Sequence, residues 1–295
     1  MPLNKSASYL GLTLELEMDP RSLLRQFDIR PKKSLGQNFL VDEMAAERIV
    51  AAADLSPRDS VLEVGPGLGA LTRHLAPAVS RVVAVELDQR LIPVLEHTLA
   101  ACPNVQIVHG DILKLDPASL LPPNYKVVAN IPYYITSALL RHLLEASVSP
   151  ALMVLTVQEE VARRIAAAPG DMSLLAVGVQ FYGRPRIVTR IKAGAFYPRP
   201  KVNSSVVQID LRPETRPTLD VTNVDLFFEL ARAGFSQRRK QLRNALAGGL
   251  GLFRDEIDAA LKRAEIDPRR RAETLSLEEW AALTRALEPR AEESS

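Results

Sequence analysis

Five apolar, β-branched runs punctuate the first half of this chain: SVLEVG from Ser60, RVVAVEL from Arg81, NVQIVHGD from Asn104, YKVVANI from Tyr125 and ALMVLTV from Ala151. A helical pattern or a turn follows each, with helices expected over 42–53, 70–75, 89–100, 137–146 and 158–168. Strands that read as continuous apolar runs are buried on both faces, and their alternation with helices predicts an α/β fold, a parallel sheet with helices on both faces. The pattern changes after Val188. Two prolines in AGAFYPRPKVNSSVVQIDLRP break regular structure before a strand-like run over 204–211, which reads as a return hairpin at the sheet edge. RPETRPTLDVTN then reads as a linker, and everything beyond it is helical in pattern. There SLEEW matches a capping box, with Ser276 at the N-cap and Glu279 at N3.

A chain of 295 residues is long enough for one large core and a smaller one, because single cores stop growing near ~250 to 300 residues. The organisation predicted is an N-terminal extension over 1–19, an α/β domain over 20–214 and a small α-helical domain over 215–295. Lys and Arg number 37 against 35 Asp and Glu, a net charge of +2 that is too small to announce a polyanionic partner, so any basic surface is local. One cysteine, Cys102, allows no internal disulfide and no cysteine metal site, which fits a reducing compartment. Glu15, Glu17 and Asp19 interrupt the short apolar patch at the start before it becomes a signal-peptide core, and no run approaches the ~20 apolar residues that cross a bilayer. A cytoplasmic protein with no membrane partner is therefore expected. The four histidines lack ligand spacing, so no metal is expected, and no feature of the sequence suggests an obligate oligomer.

EVGPGLGALT, Glu63 to Thr72, stands where a nucleotide-binding glycine loop belongs, after the first strand and at the start of a helix. Glycines at 65, 67 and 69 give G-x-G-x-G, however, and no G-K-[ST] follows. A dinucleotide or a P-loop phosphate is therefore disfavoured, and a tight strand-to-helix turn is the plain alternative. The next strands decide between them. Glu86 closes the second strand 21 positions beyond Gly65, where a carboxylate can accept from both hydroxyls of a ribose. Asp111 closes the third, where it can accept from an adenine exocyclic amine. Either acid alone reads as a solvated strand end or a helix cap. A glycine loop and two acids at one edge of three successive strands fit S-adenosylmethionine, which has an adenine, a ribose and a sulfonium but no phosphate.

NIPYYI, Asn130 to Ile135, ends the fourth strand at the same edge. An exocyclic adenine nitrogen is a poor nucleophile because its lone pair is delocalised into the ring. Two acceptors on its hydrogens bias it toward pyramidal geometry and aim the lone pair at a methyl group. Asn130 offers a side-chain oxygen, and the Ile131–Pro132 backbone offers carbonyls with no competing N–H from the proline. Tyr133 can stack on a flipped base, a contact worth about 1 to 3 kcal/mol, which offsets the cost of unstacking it. The plain alternative is a proline turn carrying two interfacial tyrosines.

With these residues in hand the chain resembles the ribosomal RNA adenine N6-dimethyltransferase family over about residues 30–287, and within it the bacterial small-subunit branch. That resemblance implies a Rossmann-like class I methyltransferase sheet. KKSLGQNFL, Lys32 to Leu40, is similar to the family's N-terminal cofactor motif, which implies that Asn38 and Leu40 contact the cofactor together with Gly65, Gly67, Glu86, Asp111 and Asn130. FYPRPKVNSSVV, Phe196 to Val207, is similar to the F-x-P-x-P-x-V-x-S segment, which implies that Phe196 stacks on the target adenine opposite Tyr133. The implied activity is dimethylation of two adjacent adenosines near the 3′ end of 16S rRNA during assembly of the 30S subunit. Two rivals are a 23S rRNA adenine methyltransferase of the macrolide-resistance type and a catalytically silent assembly factor.

FSQRRKQLRNAL, Phe235 to Leu246, places Arg238, Arg239, Lys240 and Arg243 within two helical turns, a local footprint for RNA or an ordinary solvated helix face. DPRRRAE, with Arg269, Arg270 and Arg271, is a second candidate that could equally brace neighbouring helices.

Overall fold

The structure is a computed structural model that describes residues 19–215 and 217–288. The extension expected over 1–19 thus lies, apart from Asp19, outside the described residues. Two compact units are present. Residues up to Ala162 with Arg186–Leu211 form the first, and Arg163–Pro185 with the residues from Arg212 onward form the second. No sign in the sequence pattern marks 163–185 as part of the helical unit; the boundary was expected at a single point, after residue 214.

In chain order the strands are β1 (Phe39–Leu40), β2 (Ser60–Val64), β3 (Arg81–Glu86), β4 (Val105–His109), β5 (Lys126–Asn130), β6 (Leu152–Gln158), β7 (Arg184–Ile191), β8 (Phe196–Tyr197) and β9 (Ser204–Asp210). The helices of the first unit are α1 (Pro20–Gln26), α2 (Glu43–Ala51), α3 (Ala70–Leu75), α4 (Ile92–Thr98) and α5 (Thr136–Leu144), and the chain passes to the second unit within α6 (Glu159–Ile165). All five expected apolar runs are strands of one seven-stranded sheet, ordered β4-β3-β2-β5-β6-β9-β7. From β4 to β6 the pairings are parallel, and β9 runs antiparallel to β6, from Leu152 opposite Asp210 to Gln158 opposite Ser204. The residues of β3, β5 and β6 are largely buried because helices cover both faces.

The edge is where expectation and structure part. RPRIVTRI is strand β7, which the sequence reading did not anticipate: it carries a proline and three arginines and is largely exposed. Those residues suit an outermost strand, since charge and proline blunt an edge against further pairing. What was read as a return hairpin is a longer excursion in which β8 leaves the main sheet to pair with β1.

Chain order reverses beside β2. From β2 the chain builds β3 and β4 to one side, then returns to lay β5 on the other, so the carboxyl ends of β2 and β5 flank the crevice where open α/β sheets bind ligands.

The second unit holds α7 (Leu174–Tyr182), α8 (Val224–Phe235), α9 (Leu242–Leu250), α10 (Arg254–Arg263) and α11 (Leu277–Leu287). Its core gathers Phe227, Leu230, Leu246, Ile257 and Trp280. A Cβ on Gly234 would stand 2.5 Å from the Trp280 ring, so glycine there is what lets α8 approach α11. The capping box closes as expected, with Ser276 N–H donating to Glu279 at 2.8 Å and Glu279 N–H to Ser276 Oγ at 3.2 Å. No helix among the described residues is long and apolar enough to cross a membrane.

Candidate active site

A cavity of about 310 Å³ opens at the crevice between β2 and β5. Nine residues singled out in the sequence line it: Asn38, Leu40, Gly65, Gly67, Glu86, Asp111, Asn130, Pro132 and Tyr133. The glycine loop supplies its floor. Gly65, Gly67 and Gly69 all have left-handed backbone, with φ of 69°, 62° and 83°. At Gly67 a Cβ would also lie 2.9 Å from the Phe39 ring, so glycine is required by both conformation and space. Gly69 then forms the N-cap of α3.

Three carboxylates border the cavity. Glu86, buried at the end of β3, accepts N–H groups from Gly67 at 3.2 Å and Asp88 at 2.8 Å, and burial raises its pKa against these bonds. Asp111 is more open; it caps the turn after β4 by accepting Leu113 N–H at 3.1 Å, so the cap reading and a place in the cavity both hold. Glu63 was not singled out beyond its loop. It is 1 % exposed, its Oε2 has no hydrogen-bond partner, and burial first and Glu86 second push its pKa up to about 8, against the pull of Thr72. Among the described residues no lysine, arginine or histidine lines the cavity. Such a wall suits a ligand with hydroxyls, an amine and a positive charge and repels a phosphate, which is the donor and charge pattern of S-adenosylmethionine.

The turn after β5 is pinned at three polar points. Asn130 donates Nδ2–H to the carbonyl of Asn38 at 3.3 Å, which fixes the amide and leaves Oδ1 as an acceptor. Asn38 in turn donates to Gly36 O at 3.0 Å. The Tyr133 hydroxyl pairs with Ser204 Oγ at 2.9 Å, and burial raises the phenol's pKa against that bond. Ser204 closes the F-x-P-x-P-x-V-x-S segment, so its signal was present in the sequence but its task was not. The Pro132 carbonyl accepts Ile135 N–H at 3.1 Å to close the 3-10 turn Tyr133–Ile135, which uses one of its two lone pairs.

Phe196 does not line the cavity. It is 3 % exposed and packs in the core with Leu40, Ala45 and Ala195, because β8 pairs Phe196 with Leu40 and turns its ring inward. The same pairing unites two motifs that lie more than a hundred residues apart, with Tyr197 opposite Phe39.

In the helical unit, Arg238, Arg239 and Lys240 sit on a turn between α8 and α9 rather than on a helix. All three are exposed and make no ion pair with any described residue. Arg243 differs, being half-buried on α9 and paired with Asp258 at 3.4 Å. Each arginine of the second basic run is paired: Arg269 with Asp267 at 3.2 Å, Arg271 with Glu273 at 3.8 Å, and Arg270 with Glu279 and the carbonyl of Thr274. Of the three, Arg270 braces the start of α11, and the other two pair with carboxylates two residues away. Among the described residues no cluster of His, Cys, Asp or Glu could hold a metal ion.

Sheet order, glycine loop and a cavity walled by acids define a Rossmann-like class I methyltransferase. A sequence model described as "Ribosomal RNA adenine dimethylase" matches residues 29–288. The "Ribosomal RNA small subunit methyltransferase A" of Dehalococcoides mccartyi is 49% identical over 92% of this chain and 93% of its own, and that of Moorella thermoacetica 47% identical over 90% and 96%. The chain belongs to the ribosomal RNA adenine dimethylase family. Among solved structures, the 23S rRNA methyltransferase ErmE is 30% identical with a TM-score of 0.69, covering 85% of this chain and 100% of its own. A dimethyladenosine transferase from Plasmodium falciparum is 26% identical with a TM-score of 0.71, covering 83% and 95%.

Proposed function

We propose that this protein dimethylates N6 of two adjacent adenosines near the 3′ end of 16S rRNA, on the 30S particle, with S-adenosylmethionine as methyl donor. The carrying observation is Asn130: its amide nitrogen is committed to Asn38, so its oxygen is held ready at the cavity. Bound there, the cofactor supplies a methyl group on positively charged sulfur. Glu86 would accept from the ribose hydroxyls and Asp111 from the adenine amine, while the glycine loop would let its backbone approach closely. Asn130 Oδ1 accepts one hydrogen of the target N6. The second acceptor is a carbonyl of the Ile131–Pro132 backbone. Both acceptors direct the nitrogen lone pair toward the methyl group, and most of the acceleration comes from this alignment.

Tyr133 stacks on the flipped base, and its bond to Ser204 holds the ring edge. Phe196, buried with Leu40 and Ala195, supports β8 from within the core. Arg238, Arg239 and Lys240, exposed and unpaired, meet RNA phosphates; Arg243, tied to Asp258, contributes less.

The test is incubation with radiolabelled S-adenosylmethionine and 30S subunits that lack the dimethyladenosines, followed by digestion of the 16S RNA. Labelled N6,N6-dimethyladenosine is the expected product. Labelling of naked 23S RNA instead would assign the activity of the ErmE-like relatives, and no labelling of either would leave an assembly factor.

A further inference from the structure

The segment 30–40 runs along the cavity, and Leu35 to Leu40 all line it. Its fixation converges on one side chain outside the cavity. Asp88, 5 % exposed at the turn after β3, accepts from Gln37 Nε2 at 2.8 Å and from both Arg90 Nη2 at 2.6 Å and Nε at 3.0 Å. Lys32 Nζ stands 3.8 Å from the same carboxylate. Arg90 also donates to the carbonyl of Arg30 at 3.3 Å, and Gln37 Oε1 accepts Lys32 N–H at 2.7 Å. The arginine pair above all holds the Asp88 pKa down to about 2, so the carboxylate is ionised wherever the protein is folded near neutrality.

The far end of the segment meets the reacting turn. Gly36, left-handed at φ 61°, leaves room where a Cβ would touch Pro132 and Tyr134 at 3.4 Å. Asn38 follows, and its carbonyl is what holds the Asn130 amide. Asp88 is also joined to the cofactor acid directly, because its own N–H donates to Glu86 Oε1 at 2.8 Å.

We propose that Asp88 is the latch of a strap, residues 30–40, that holds the cofactor in its cavity and keeps Asn130 in register, so that Asp88 and Gln37 are positioning residues for methyl transfer. Neither touches the reacting atoms; both act through Asn38 and Glu86. A buried carboxylate that gathers the start of the strap, its middle and the β3–α4 turn fixes three segments with one charge, and charge-assisted hydrogen bonds of this kind are the strong ones. The proposal rests on reading the cavity as the cofactor site.

The test compares wild type, Asp88→Asn and Gln37→Ala for S-adenosylhomocysteine affinity by calorimetry and for amide exchange over 30–40. Gln37→Ala removes the strap's shortest bond to the latch while leaving the Asp88–Arg90 pair, so it decides the matter if Asp88→Asn folds poorly. Expected are wild-type binding, about tenfold weaker binding in both variants, and faster exchange confined to the strap. In transfer assays KM for the methyl donor rises more than kcat falls. Variants that bind like wild type, or lose affinity with the strap equally protected, overturn the latch. A wild type that does not bind the probe overturns the cavity reading itself.

Discussion

The turn Asn130–Ile135 in the α/β unit and the turn 236–241 in the helical unit are built on opposite principles. In the first, the Asn130 amide, the Tyr133 hydroxyl and the Pro132 carbonyl are each bonded, and Thr136 Oγ1 donates to the Tyr133 carbonyl at 3.2 Å. In the second, three cations are exposed and have no ion-pair partner among the described residues. The difference follows from what each turn has to do. Methyl transfer depends on angles and distances, and a misplacement of about 1 Å costs on the order of a hundredfold in rate. Polyanion binding depends on how many charges are near, and a mobile lysine neutralises a phosphate as well as a fixed one.

Mutating each turn should therefore separate rate from affinity. Asn130→Ala should lower methyl transfer by about a hundredfold or more while RNA affinity in a filter-binding titration stays within about twofold of wild type. Transfer that survives would break the comparison at its root. Replacing Arg238, Arg239 and Lys240 together by Ala should do the reverse. RNA affinity falls by about tenfold or more and the slope of log affinity against log salt flattens by about 2, with the rate at saturating RNA retained and the melting temperature unchanged.

The second basic run sharpens the contrast within the helical unit. Arg270→Ala should cost about 1 to 2 kcal/mol in a denaturant titration, because it strips the brace from Glu279 and Thr274. Arg269→Ala, at an exposed site, should leave the melting curve where it is, and neither change should alter the salt slope.

Glu63 gives the most specific effect. Its pKa rises from an ordinary 4.5 to about 8 in the fold, so between these values the native state binds a proton that the unfolded chain does not. Stability from this group is present below 4.5 and is lost as pH climbs to about 8. Glu63→Gln keeps the neutral shape and should flatten that decline when melting temperature is followed from pH 5 to pH 9. A decline as steep as in wild type would show that Glu63 is already ionised.

Much of the α/β unit was legible because buried parallel strands are written as apolar β-branched runs, and all five such runs became neighbours in one sheet. The cavity residues were legible for the same topological reason: a loop or acid that ends such a strand has to sit at the sheet's carboxyl edge. β7 was not, since an edge strand carries exposed Arg and Pro that resemble a loop. Nor was α7, whose LLAVGVQFY lacks the polar positions that give a helix its period.

By itself the sequence determined nine of the residues that border the cavity, two of the acids in its wall, and the cap that starts α11 at Ser276. Only the tertiary structure decided which of two similar runs of basic residues is free, since a cation's availability depends on carboxylates that the fold brings beside it. It also decided that Ser204 holds Tyr133, that Asn38 holds Asn130, that Phe196 is turned inward, and that Asp88 ties down the segment before β1. Each of these is a contact between residues far apart in the chain, and hydrogen-bond direction and burial are properties of the assembled neighbourhood, for which local sequence carries no code.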